Sequence, residues 1–163
     1  MQELYRHHPD LVATLTLAGS YAGWKGSLPA QEVDARVEGV RTMLEAGERY
    51  DPPGLFAAAP PREFASLLED MTSAARSASL WAQLSIMAQT DQRDLLPRIA
   101  VPTLLIWGEA DARSPLSVAR QFANAIPNAE LKVIPDAGHI SNLEQPGSFN
   151  DAVRTFCSQH PPK

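Results

Sequence analysis

Two residues in this 163-residue sequence have the type and setting to move a proton. "VIPDAGHISNLEQP" sets His139 directly after a glycine, at the end of an apolar run and just before what reads as a helix. "LLIWGEADARSP" sets Asp111 just past Gly108, again at the end of an apolar run. Imidazole is the side chain whose unperturbed charge change falls near neutral pH. A carboxylate bonded to one ring nitrogen fixes the tautomer and stabilises the imidazolium formed when the other nitrogen takes a proton. One strand-helix-strand unit separates the two residues. Successive parallel strands put their C-terminal ends on one edge, so that unit can bring Asp111 and His139 together. Each has a competing reading: His139 as a hydrogen-bonded structural histidine, and Asp111 as an Asx-turn after a strand, which "GEAD" also suits. Asp136 is nearer to His139 in sequence but precedes the loop, where it reads as a turn or salt-bridge residue. Glu144 is expected to support the start of the last helix through its dipole, with Pro146 as that helix's first residue.

The elements that must position this pair can be read along the chain. "QELYRHH" is a helix end stopped by Pro9, with His7 and His8 solvated beside it. "LVATLTLAGS", Leu11 to Ser20, is nearly all apolar or β-branched and reads as a strand. "VPTLLIWG" is the clearest strand, short and continuously apolar, as expected of one buried on both faces. "SPLSVARQFANAIP" is an amphipathic helix with Ser114 as N-cap and Pro115 first inside. "AELKVIP" is a third, more alternating strand, and "PGSFNDAVRTFCSQH" a last helix. Between the first two strands, Val33, Val37, Val40 and Leu44 fall at helical intervals, and Leu80, Leu84 and Met87 share a face of a later helix. The order predicts an α/β fold with about three parallel strands and flanking helices. Residues 1–24 and 96–163 make the core, and 25–95 a helical insert.

Composition narrows the partners. The net charge of −5 disfavours nucleic acid and anionic membrane surfaces. A mean hydropathy of −0.20, with no run of spanning length, disfavours a membrane-embedded chain. The start is polar and does not read as a signal peptide. A single cysteine allows neither an intrachain disulfide nor a cysteine-built metal site, and a cytoplasmic location is the default. No metal or other cofactor is expected. Cys157, late in the last helix, reads as a small buried hydrophobe.

Here a family resemblance enters. The stretch from Val101 to Phe156 resembles the C-terminal end of an α/β-hydrolase fold enzyme, most of all the 3-oxoadipate enol-lactonases and their esterase-like relatives. A Pro-Thr-Leu-Leu strand followed by Gly-x-x-Asp-x-x-x-Pro carries the family's acid, matched by Asp111 and Pro115. Gly-His-x-x-x-x-Glu-x-Pro carries its base, matched by His139, Glu144 and Pro146. "ELYRHHPDLVATLTLAGSYAGW" resembles the stretch after the nucleophile, and the helical insert resembles the family's cap, or lid. The resemblance implies a Ser-His-Asp triad acting on a small apolar ester or lactone. No Gly-x-Ser-x-Gly occurs in the sequence. By this likeness the chain reads as the back part of such an enzyme, with the acid and base but not the nucleophile or the N-terminal strands.

Ser20, between small residues at a strand end, invites a reading as the nucleophile. Gly19 is adjacent, where the motif wants a gap of one, so a pocket wall or turn is the better expectation. Trp24 and Trp81, with Met71 and Met87, either line a pocket under the cap or form core. The other class of function is a non-catalytic fragment that binds or assembles. Epoxide hydrolases, dehalogenases and haloperoxidases share these C-terminal motifs and differ mainly in the nucleophile. An apolar strand from Leu11 to Leu17, without lysine, proline or inward charge, reads as central. Its open edge is expected to self-associate, to pair with a separate N-terminal half, or to be covered by the insert.

Overall fold

The computed structural model describes residues 1–48, 54–58, 62–73 and 77–161. Its sheet is built on β2 (Thr103–Gly108), in which every residue is buried. β1 (Leu15–Ala18) and β3 (Ala129–Ile134) lie on either side, both parallel to it. The register sets Leu15 opposite Thr103, and Thr103 opposite Ala129. This is the α/β arrangement with a parallel sheet that the element order predicts.

β1 is shorter than its apolar run suggests. Pro9–Leu11 form a 3-10 turn, and the amides of Leu11 and Val12 donate to His8 and Pro9 carbonyls. Those donors are used locally before the ladder begins, and Leu11 is left 72 % exposed. The two faces of the strand also differ in burial. Leu15 and Leu17 are buried, while Thr16 and Ala18 on the other face are exposed.

The contacts divide the chain into two units. The sheet unit comprises Met1–Ser20, Gly54–Ala58 and Arg93–Lys163. It holds α1 (Gln2–His7), α5 (Leu116–Ala125), α6 (Ser141–Glu144) and α7 (Pro146–Gln159). Tyr5 of α1 is buried, and its hydroxyl accepts the Ala100 N–H at 2.9 Å, tying the helix to the segment entering β2. α5 begins one residue later than expected: Pro115 is its N-cap, and Ser114 is a buried residue with other partners. α7 does begin at Pro146, and it lays Phe149, Ala152, Val153 and Phe156 against Leu104, Ile106 and Ile134. Cys157 falls just beside that stripe and is exposed, which corrects its reading as a buried hydrophobe.

The helical unit comprises Tyr21–Pro53 and Ala59–Gln92, with α2 (Ala30–Glu45), α3 (Ala65–Ser73) and α4 (Ser77–Gln89). Its core is Trp24, Val33, Val40, Leu80 and Leu84, with Val37, Leu44 and Met87 packed against it. Gly54–Ala58 lies within the expected insert in sequence, yet it groups with the sheet. No helix among the described residues is long and apolar enough to cross a membrane.

Candidate active site

The loops leaving β2 and β3 are laced together by backbone bonds before either side chain is considered. Glu109 N–H donates to Ile134 O, and Ala110 N–H to Ala137 O, both at 2.9 Å. Asp136 makes the turn between them possible, adopting a φ of 52° that aspartate tolerates better than most residues; its side chain is exposed. The result sets Asp111 and His139 side by side at the C-terminal edge of adjacent parallel strands, with Nδ1 2.9 Å from Oδ2.

The two readings of Asp111 turn out to be compatible, because each carboxylate oxygen serves one of them. Oδ1 accepts the backbone N–H groups of Arg113 at 2.9 Å and Ser114 at 2.7 Å, which is an Asx-turn. Oδ2 is left for His139. The Asp111 side chain has no exposure, against 23 % for His139. An ionised carboxylate only accepts, so Nδ1 must carry the proton in this bond. In the neutral ring Nε2 is then the free lone pair. The contact from Asp111 thus sets the tautomer of the neutral His139 ring.

A third strand end completes the setting. Gly19 follows β1 with a φ of 50°, and its N–H donates to Ile106 O at 3.0 Å. A Cβ there would lie 2.9 Å from His139 Nδ1 and 3.4 Å from Asp111 Oδ2. Only glycine gives both the backbone conformation and the clearance. Ser114, expected as a helix N-cap, has another role here. Its Oγ–H donates to Ser20 O at 3.1 Å, while Trp107 Nε1–H reaches the Ser114 carbonyl at 3.0 Å. A buried serine thereby links the ends of β1 and β2. The small Gly19-Ser20 step was the only sequence signal for this crowding.

Other expected residues go elsewhere. Ser20 Oγ–H is directed to the Ala18 carbonyl at 3.3 Å. Glu144 ends α6, and its carboxylate is taken up by the backbone N–H groups of Gly138 and Ala57, not by the start of α7. Trp24 is 1 % exposed within the helical unit's own core, where its Nε1–H has no hydrogen-bond partner among the described residues. Trp81 is 38 % exposed on α4. The side chain of Met71 lies outside the described residues. Among the described residues, no group of three or more His, Cys, Asp or Glu is placed to hold a metal ion.

A sequence model of the alpha/beta hydrolase fold matches residues 63–146, just over half of the chain. The chain belongs to that family. Within it, the chain is 27 % identical over 154 residues to the pimeloyl-[acyl-carrier protein] methyl ester esterase of Chromobacterium violaceum, covering 90 % of this chain and 61 % of that protein. Among solved hydrolases, a thermophilic esterase from Thermogutta terrifontis superposes with a TM-score of 0.77 at 27 % identity, over 98 % of this chain and 61 % of that one. The esterase EaEST of Exiguobacterium antarcticum gives a TM-score of 0.80 over 96 % of this chain and 62 % of that one. At 23 % identity, that second likeness speaks for the fold alone. The chain therefore spans less than two thirds of the length of these hydrolases.

Proposed function

We propose that these residues supply the acid and base of a Ser-His-Asp hydrolase acting on a small apolar ester or lactone. His139 is the general base and then the general acid, and Asp111 orients it. The observation that carries the reading is the division of labour in Asp111: one oxygen fixes the loop and the other faces Nδ1 at 2.9 Å, with the side chain wholly buried. Nε2 then takes the proton of an attacking serine hydroxyl and returns it to the leaving alkoxide. In the second half of the reaction it deprotonates the water that releases the acyl group. No cofactor is needed for this chemistry.

The serine does not come from a Gly-x-Ser-x-Gly within these 163 residues, so in this reading it belongs to a further stretch of polypeptide. In this reading the helical unit corresponds to the family's cap, with Trp24 in its core. β1 pairs with β2 alone among the described residues, so its far edge is the place where another strand joins, from that further stretch or from a second copy. A cytoplasmic setting fits the single cysteine. The absence of the serine motif favours one second reading, a non-catalytic binding or assembly module. Epoxide hydrolase, dehalogenase or haloperoxidase chemistry would share the acid and base and differ mainly in the nucleophile.

The test uses the protein as its source produces it, whether these residues stand alone or within a longer polypeptide. Hydrolysis of p-nitrophenyl acetate is expected to fall by about 10⁶ in kcat on His139→Ala, with KM little changed. A variant keeping a tenth or more of the rate would sink the reading. Labelling with a fluorophosphonate and reading the mass locates the nucleophile. Ser20 is expected to stay unmodified, and an adduct there would make it the nucleophile.

A further inference from the structure

We propose that Glu144 is a positioning residue for His139, acting as a latch that clamps the histidine loop to the Gly54–Ala58 segment. The proposal rests on the reading of His139 as the base. Glu144 Oε2 accepts the N–H of Gly138 at 2.6 Å, and Oε1 accepts the N–H of Ala57 at 2.8 Å. Ala57 and Glu144 are 87 residues apart, so one carboxylate joins two distant pieces of chain. On the other side of the histidine, the N–H of Ile140 donates to Leu55 O at 3.1 Å. The two residues flanking His139 are therefore both tied to the same segment, Gly138 through Glu144 and Ile140 directly.

The fit between the loop and the segment is close. A Cβ at Gly138 would fall 2.6 Å from Ala57 N and 2.7 Å from Phe56 C, so the segment lies directly on the Gly138 backbone. With its neighbours held, His139 keeps little freedom beyond its two side-chain torsions, and Asp111 sets those through Nδ1. The carboxylate has a specific advantage here. It offers acceptors on both oxygens, whereas a glutamine would turn an NH₂ donor towards one of the two N–H donors. A shift of the loop by an ångström would break the Nδ1–Oδ2 contact, which is how loosening Glu144 reaches the imidazole.

The experiment is made on the purified chain with Glu144→Gln and Glu144→Ala. Asp151→Asn, in an exposed pair with Arg154, is the control. Two readouts are followed: amide hydrogen exchange at Gly138 and Ala57, and the NMR signal of the His139 Nδ1–H proton. Glu144→Gln is expected to speed exchange at one of the two amides by about tenfold, and Glu144→Ala at both by roughly 10- to 100-fold. The Nδ1–H signal should broaden or disappear in both variants and stay unchanged in the control. Unchanged exchange overturns the proposal. Faster exchange with an intact Nδ1–H signal also overturns it, because Glu144 is then only a loop brace. If neither variant folds, Glu144 is a folding residue and the proposal fails; if only the alanine variant fails to fold, glutamine decides. A lost Nδ1–H signal together with hydrolysis indifferent to His139→Ala leaves the latch standing and removes the catalytic reading instead.

Discussion

Two carboxylates in the sheet unit meet nitrogen partners at nearly the same distance and in opposite surroundings. At the C-terminal edge of the strands, Asp111 Oδ2 stands 2.9 Å from His139. At the far end, near α1, Asp94 meets the Arg6 guanidinium through both oxygens, at 2.8 and 2.9 Å. Distance does not separate them; water does. The Asp111 side chain has no exposure, while that of Asp94 has 59 %. A buried carboxylate with every bond assigned leaves its partners stranded when it is removed. An exposed one is replaced by solvent at little cost. The edge that carries the proposed chemistry should therefore be brittle to single changes, and the Arg6–Asp94 end tolerant.

The sharpest way to break this contrast is Asp111→Ala. It strips the acceptors from His139 Nδ1 and from the backbone N–H groups of Arg113 and Ser114 at once. The expected loss is on the order of 3–5 kcal/mol, read as a lower urea midpoint with an unchanged slope. A loss under about 1 kcal/mol would mean that water enters the site and that the two ends do not differ.

Gly19→Ala comes next. It forces a side chain into a left-handed backbone and sets a Cβ 2.9 Å from the His139 ring. The expected cost is about 2 kcal/mol, from backbone strain and from displacing the imidazole. The His139 ring resonances should move with it. A neutral substitution would show that the ring has room to retreat and that the edge is looser than its distances suggest.

These two sites also show what could be read ahead of the structure. β2 was legible because burial on both faces leaves an unbroken apolar run, and the Asp111–His139 placement followed from one parallel strand-helix-strand unit. β1 was over-read, because "LVATLTLAGS" looks uniform while its pairing begins only where Thr103 offers a partner. Cys157 misled because one position on a helix is a turn of about 100°, enough to leave the stripe set by Phe149, Val153 and Phe156. Glu144 shows a sharper limit. Its position next to α7 suggested a helix-end role, but its partner Ala57 lies across the fold, and no local pattern reports such a contact. The same holds for Ser114, whose cap-like spacing concealed a buried link to Ser20.

The smallest effect is expected at Asp94. Its carboxyl is held below the usual range, chiefly by the hydrogen bond from the Arg6 guanidinium, against the opposing influence of desolvation; the charge of Arg98 adds to the lowering. A carboxyl whose pKa is lower folded than unfolded adds stability that is fully present above the unfolded value. That stability is lost as the pH falls from there through the folded value. The unfolded value is about 4, so the contribution should be constant at neutral pH and fade below about pH 4. Asp94→Asn is then expected to lower the urea midpoint at pH 7 by roughly a tenth of the Asp111→Ala loss. The gap between wild type and variant should close as the pH falls below about 4, and shrink at about 1 M salt, because an exposed pair is screened there. The buried pair should keep most of its effect in that salt. If Asp94→Asn matched Asp111→Ala in size, or resisted salt as well, exposure would not be what sets the worth of these pairs. The bidentate fit to Arg6 would then carry an unexpected share of the stability of the sheet unit.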